Sequence, residues 1–282
     1  MLISMPAGLT FLVMSSLSPR MENALELSNV SVVKDGHRIL DRVSLIIGQD
    51  ENVAIIGLNG SGKTTLLKLL RGDIYPYDDD EVPYSMKIFG ERHWNIFDLR
   101  TKMGVVSMDL QNRFSPVTTV REVIGSGFFG SLDIFRNMEV RPEMEELIRY
   151  RATEMGIEDL LERTIEGLSL GEMRRALIAR ALITNPRMLI LDEPMTGLDI
   201  VMKSKFRQMF DILIDSGVRI VMITHDLTDI PVSIGRIVMI RKGRIFGDGK
   251  KEDLLNDEKV SELYGAKIKV ESTKGIYRMY LE

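Results

Sequence analysis

The sequence predicts an α/β fold: a parallel-sheet core, interrupted by a helical insertion near residues 108–176 and preceded by an antiparallel β layer. Three observations predict it. The runs "NVAIIG" (Asn52–Gly57), "RMLILDEP" (Arg187–Pro194) and "RIVMITHD" (Arg219–Asp226) are short, mostly apolar and rich in β-branched residues, as strands buried on both faces are. Helical patterns follow them, which gives the β–α–β order of a parallel sheet. Residues 24–33 and 38–48 instead alternate apolar and polar positions, the period of a half-exposed antiparallel strand.

In chain order, "KDGHR" joins the first two strands as a hairpin turn. Gly57–Gly62 is a loop, and "KTTLLKLLRG" is a helix closed by Gly72. Residues 73–101 read as irregular and acidic, with a strand at "MKIFG". "GVVSMDLQNRFSPVTTV" (Gly104–Val120) starts as a strand and turns polar, carrying Asp109 and Gln111, the kind of strand end that delivers side chains to a site. Helical stretches follow at "TVREVIGSGFF", at "PEMEELIRYRATEMG" with Pro142 in the starting position, and at "GEMRRALIARALI". A further helix is expected near 200–215, a hairpin at "GRIVMIRKGRIFGDG", helix over 250–264 and a last hairpin at "KIKVESTKGIYRMYLE". The expected division is one domain over 21–282: a core of 21–107 and 177–250, a helical subdomain of 108–176 and a C-terminal extension of 251–282.

With 44% hydrophobic and 28% charged residues among 282, the chain has the composition of a globular protein with a sizeable core. Its 37 basic and 41 acidic residues give a net charge of −4, which offers a polyanion no footprint, so nucleic acid is not an expected partner. The absence of cysteine excludes disulfides, thiolate metal sites and cysteine nucleophiles, and is compatible with a reducing cytosol. Residues 1–20 are apolar but interrupted by Pro6 and Gly8, and fall short of the ~20 residues that span a bilayer. Their one basic residue, Arg20, follows the apolar run, whereas a signal peptide carries its basic residue first. A poorly ordered extension is expected there, with the natural start at Met21, and any work at a membrane would run through a partner.

"GLNGSGKTT" (Gly57–Thr65) fits G-x-x-x-x-G-K-[ST] between a buried strand and a helix. Gly57, Asn59, Gly60, Ser61, Gly62 and Thr65 belong to a loop whose N–H groups curl around phosphate oxygens. Lys63 reaches the outer phosphates, and the Thr64 hydroxyl is offered to Mg²⁺. In "LILDEP", Asp192 ends a strand where it can hold Mg²⁺ through water, and Glu193 can orient and deprotonate an attacking water. "LSLGE" (Leu168–Glu172) opens a helix with Ser169 as N-cap and Gly171 allowing close backbone approach.

"LSLGE" resembles the LSGGQ signature of the ATP-binding cassette ATPases, "TGLD" (Thr196–Asp199) their D-loop and "THD" (Thr224–Asp226) their switch histidine. Order and spacing resemble the family from about residue 24 to 250. "LSLGEMRRALIARAL", "SGFFGSL" and "THDLTDIP" resemble its branch named for molybdate transport and photorepair proteins. The resemblance implies a P-loop NTPase fold of the cassette type and a head-to-tail dimer that sandwiches two ATPs. Each ATP would meet Lys63, Thr64, Asp192, Glu193 and His225 of one chain, and Ser169 and Gly171 of the other. Asp199 is carried over as a nucleotide-site residue.

Two departures stand out. Where most of the family stacks adenine on an aromatic residue, this chain has Val33 and Lys34; stacking is worth about 1–3 kcal/mol, so weaker ATP affinity and base discrimination are expected. Met108 stands where a glutamine normally contacts Mg²⁺. A thioether is a poor ligand for that hard cation, which leaves Gln111 as the favoured replacement and Asp109 as runner-up. The leading functional reading is an ATP-hydrolysing subunit, at the inner face of a membrane, that drives separate membrane-spanning subunits. The alternatives are a soluble cassette ATPase that remodels a macromolecule, and a catalytically dead adaptor, against which Lys63, Asp192, Glu193 and His225 all speak.

Overall fold

Strands β1 (Leu25–Lys34) and β2 (His37–Ile47) form a hairpin in which Lys34 pairs with His37 across a two-residue turn. Asp35 and Gly36 both take the left-handed conformation such a turn needs. The structure, a computed structural model, describes residues 23–79, 81–131 and 139–282; the extension expected over residues 1–20 lies outside the described residues. Strand β3 (Val53–Ile56) is buried throughout and leads through the glycine-rich loop into α1 (Lys63–Leu70). Strand β4 (Ser85–Ile88) returns to β1 and completes an antiparallel sheet of order β2-β1-β4.

Helix α2 (Ile96–Lys102) then forms within a stretch whose sequence reads as irregular. Ile96 and Leu99 offer too short an apolar repeat to predict it. Burial of Leu99, with Asp98 in the first turn and Arg100 and Lys102 in the last to suit the helix dipole, holds it in place. Strand β5 (Met103–Val106) is followed at once by the single turn α3 (Met108–Gln111), so Gln111 stands on a helical turn and not on the loop expected for it.

Helix α4 (Val120–Gly125) starts at a capping box of Thr119 and Glu122, and a 3₁₀ turn, Ser126–Phe129, continues it. Helix α5 (Pro142–Glu154) carries its proline in the first turn, as expected. Helix α6 (Leu170–Leu182) opens at the Ser169 cap, runs unbroken through residue 176 and packs on α4, α5 and β5. Strand β6 (Met188–Asp192), α7 (Ile200–Asp215) and β7 (Ile220–Thr224) supply the expected β–α–β order, and β8 (Arg236–Arg241) and β9 (Arg244–Lys250) the expected hairpin. The helix expected over 250–264 is two, α8 (Lys251–Leu254) and α9 (Asp257–Tyr264), because Asn256 leaves the helical path and caps the second one. Strands β10 (Ile268–Thr273) and β11 (Ile276–Leu281) close the chain as a separate hairpin.

The central sheet has the order β5-β6-β7-β3-β8-β9; its first five strands are parallel and β9 is an antiparallel edge. Its two faces feed two cores. Ala54 and Ile56 join Leu177, Phe206 and Phe210 on the side of α6 and α7, while Val53 and Ile55 join Leu66, Leu70, Val30 and Leu40 on the side of α1 and the hairpin. Each fully buried isoleucine is worth about 1.5–3 kcal/mol, so the neighbouring ends of β6, β7 and β3 form a stiff platform. Among the described residues no helix is long and apolar enough to cross a membrane.

Candidate functional site

The loop after β3 is shaped by contacts only glycine permits. A Cβ on Gly57 would lie 2.2 Å from the Ile240 carbonyl oxygen, and one on Gly62, at φ +109°, would lie 2.7 Å from Leu40 Cδ2. The ends of β3 and α1 are therefore pressed against the neighbouring hairpins. Gly62 also caps α1 without a side chain, so the first N–H groups of that helix receive no side-chain partner. Buried Lys63 folds back across the loop, its Nζ donating to the carbonyls of Gly57 (2.7 Å) and Leu58 (2.9 Å). Burial pushes its ammonium below the usual lysine range, and the carboxylates of Glu193 and Asp192 pull it partly back. The Ser61 hydroxyl is buried and has no hydrogen-bond partner among the described residues. Asn59, Gly60 and Thr64 are exposed at the mouth of the loop, and Thr65 is half-buried.

The acids arrive from the next strands. Burial pushes Asp192, at the end of β6, up to about 6, helped by the negative charges of Glu193 and Asp109 and opposed by Lys63 and Arg71. Asp192 and Glu193 act on the charge of Lys63, and Ser61 and Thr64 flank that lysine in sequence, so carboxylate and hydroxyl oxygens of the kind that suits Mg²⁺ and a phosphate chain surround it. Glu193 sits at φ +48°, an uncommon backbone for its type, with its N–H tied to the Ile223 carbonyl at 2.8 Å. That turn points its carboxylate at two partners: Thr196 Oγ1 donates to Oε2 at 3.1 Å, and His225 Nδ1 lies 2.9 Å from Oε1. Lys63, Asp192, Glu193 and His225 thus converge at the ends of three adjacent strands.

Ser169 and Asp199 cap the starts of α6 and α7, and Gly171 lies in the first turn of α6. The Ser169 N–H and hydroxyl both donate to Glu172 Oε2 at 2.7 Å, and Asp199 Oδ1 accepts from the N–H groups of Val201 and Met202 at 2.8 Å as the cap of α7. The two segments pack on each other: a Cβ on Gly171 would meet Met202 Cε at 2.6 Å, and one on Gly197 would meet Leu170 Cδ2 at 3.0 Å. Gln111 lies at the end of α3 with its Oε1 buried and unpartnered among the described residues, whereas Asp109 is exposed. Val33 is half-buried opposite Arg38, and Lys34 exposed opposite His37.

Sequence reasoning missed the frame that holds the histidine loop. Lys203 Nζ pairs with Asp226 Oδ2 (2.7 Å) and Asp229 Oδ1 (2.8 Å), Thr224 Oγ1 donates to Asp229 Oδ2 (3.2 Å), and Tyr264 Oη donates to the His225 carbonyl at 2.8 Å. The i, i+3 acids in "THDLTD" were the available signal for the first part; nothing in the sequence ties Tyr264 to the loop.

The family model described as ABC transporter matches residues 40–196. The chain is 32% identical over 250 residues to the uncharacterized ABC transporter ATP-binding protein YlmA of Bacillus subtilis, covering 87% of this chain and 92% of that protein. It is 34% identical over 223 residues to the ABC transporter ATP-binding protein ModF of Escherichia coli, covering 77% and 44%. Among solved structures, cbiO1 from Clostridium perfringens, part of an ABC transporter complex, superposes with a TM-score of 0.72 at 24% identity over 86% of this chain and 94% of that one, a likeness of fold. With the phosphate loop, the acid pair and the histidine gathered on one platform, the chain belongs to the ABC transporter family, as one of its ATP-binding and ATP-hydrolysing cassettes.

Proposed function

We propose that two copies of this chain, head to tail, bind two ATPs between them with Mg²⁺ and hydrolyse them to drive separate membrane-spanning subunits at the inner face of a membrane. The observation that carries this reading is the convergence of Lys63, Asp192, Glu193 and His225, with Ser169 of the signature segment exposed and bonded only within its own helix start. Gly57, Asn59, Gly60, Ser61, Gly62 and Thr65 line the phosphate cradle, and Lys63 exchanges its two carbonyl partners for phosphate oxygens when ATP enters. Thr64 and Asp192 would hold Mg²⁺, which supplies positive charge against the phosphates when bound. Glu193 takes the proton of the attacking water. With Glu193 ionised, His225 donates Nδ1–H to it, and a second proton on Nε2 would make that nitrogen the donor to the γ-phosphate. Ser169, Gly171 and Asp199 of the second copy close the site from the other side.

The branch named for molybdate transport and photorepair draws support from ModF, but the matched part spans less than half of that protein. For the membrane partner, a cleft of about 400 Å³ beside α3 is lined by Arg71, Arg100, Arg113 and Arg180, with Asp73 pairing only the first two. Its surplus positive charge suits an acidic side chain on the spanning subunit. The test is affinity capture of the full chain from membranes. A multi-span protein that stays bound, and is released when Arg113 and Arg180 are both changed to Glu, supports the reading; a soluble partner alone would replace it with the remodelling function.

A further inference from the structure

The loop that carries His225 is held from two directions. From α7, Lys203 bridges Asp226 and Asp229, and Asp226 Oδ1 in turn accepts from the Thr228 N–H and hydroxyl at 2.9 and 2.8 Å. These contacts fix the residues after the histidine. The histidine's own carbonyl is gripped from the C-terminal extension, where Tyr264, the last residue of α9, donates its phenol proton at 2.8 Å across 39 positions of sequence. The extension is well anchored for that task. Val260 and Leu263 of α9 are buried in the main core, β11 packs on the 3₁₀ turn Leu227–Asp229, and Lys251 Nζ donates to the Pro231 carbonyl at 2.8 Å. Burial, with the nearby Asp226 charge, pushes the Tyr264 phenol up to about 12, so it remains a proton donor throughout any ordinary assay range.

We propose that Tyr264 is a positioning residue for His225: its grip on the His225 carbonyl sets the backbone from which the imidazole reaches Glu193 and the γ-phosphate, which makes the C-terminal extension part of the hydrolytic apparatus. The inference rests on the role of His225 given above. A carbonyl released from this bond can tilt its peptide plane, and a tilt at the backbone is amplified at the tip of the ring. The imidazole acts on the transition state, whereas Lys63 and the glycine loop hold the nucleotide, so loosening it should lower kcat and spare KM. One neutral hydrogen bond corresponds to about a five-fold change in rate.

The experiment uses ATP turnover of the full chain with Mg²⁺. Tyr264→Phe keeps the ring and removes the hydroxyl; kcat should fall about five-fold, with KM for ATP held within two-fold and the melting temperature within about 4 °C. Tyr280→Phe removes a hydroxyl from the same extension, where it donates only to Glu271 at 2.6 Å, and should turn over like wild type. In a His225→Ala background, Tyr264→Phe should cause no further loss in single-turnover rate, since its route to the chemistry is gone. Wild-type kcat in Tyr264→Phe, an equal fall in Tyr280→Phe, or a persisting fall in the His225→Ala background would each overturn the proposal. Wild-type turnover in His225→Ala alone would overturn the histidine's role first and the positioning role with it, a result distinct from the other three.

Discussion

Two helix N-termini on this chain are finished in opposite ways. Helix α1 begins at Gly62 with no side-chain cap, a left-handed backbone and a lysine folded over its mouth; α6 begins at Ser169 with a full capping box, its serine N–H and hydroxyl both bonded to Glu172. The first end is stabilised by few partners of its own and is built to receive oxygens. The second is satisfied within its own chain, carries an acid held below the usual carboxylate range by the serine, and faces outward. On the proposed reading, nucleotide binding would rest on the phosphate loop, and the signature end would have to give up a hydrogen bond before it could contribute. On the head-to-tail reading proposed above, a second copy would supply this costlier half.

The largest expected effects fall on turnover, one in each half. Glu193→Gln should preserve ATP binding and lower turnover by roughly 10²–10⁴, the scale of a positioned general base. It should also leave an ATP-dependent dimer visible by gel filtration. Turnover like wild type removes Glu193 from catalysis, and a monomer at saturating ATP removes the divided site. Ser169→Arg should abolish turnover yet bind ATP. Mixed with Lys63→Ala it should regain activity through one composite site per dimer, and a mixture as inactive as its parents would show that the halves do not cross between copies or must fire together.

On α3, Gln111→Ala should raise the Mg²⁺ concentration for half-maximal turnover about ten-fold, the cost of a lost metal contact, while Asp109→Ala changes it little. The reverse outcome would hand the role to the exposed aspartate, and no change in either would mean that α3 makes no metal contact. On the base-reading edge, Val33→Tyr should tighten ATP binding about five-fold in an equilibrium titration, the lower end of stacking energies. GTP should serve the wild type nearly as well as ATP; a strong preference for ATP would reveal another adenine contact. The smallest change is Glu172→Gln. Freeing the signature end of its negative charge should raise turnover about three-fold, the scale of one exposed charge interaction; a loss of turnover would mean that Glu172 itself serves the reaction.

What the sequence determined by itself is what neighbours along the chain can enforce. Residues 57–65 carry their glycines, lysine and threonines in one stretch, so the phosphate loop was legible before any fold was known. Asp35–Gly36 specifies a two-residue hairpin by its own backbone preferences, and Ser169 with Glu172 specifies a helix start by reciprocal hydrogen bonds three residues apart. The buried strands announced themselves because both of their faces are apolar. Tertiary structure decided everything that depends on distant partners. Helix α2 exists because Leu99 finds a core, and the turn at Met108–Gln111 buries one end of Gln111 where a loop was expected. The bond from His225 to Glu193 joins residues 32 apart and requires β6 and β7 to lie side by side. The grip of Tyr264 on the His225 carbonyl requires α9 to pack back on the core beside the histidine loop. Local preferences act over a few residues, whereas these contacts are bought by burial summed over a whole sheet, which no short stretch encodes.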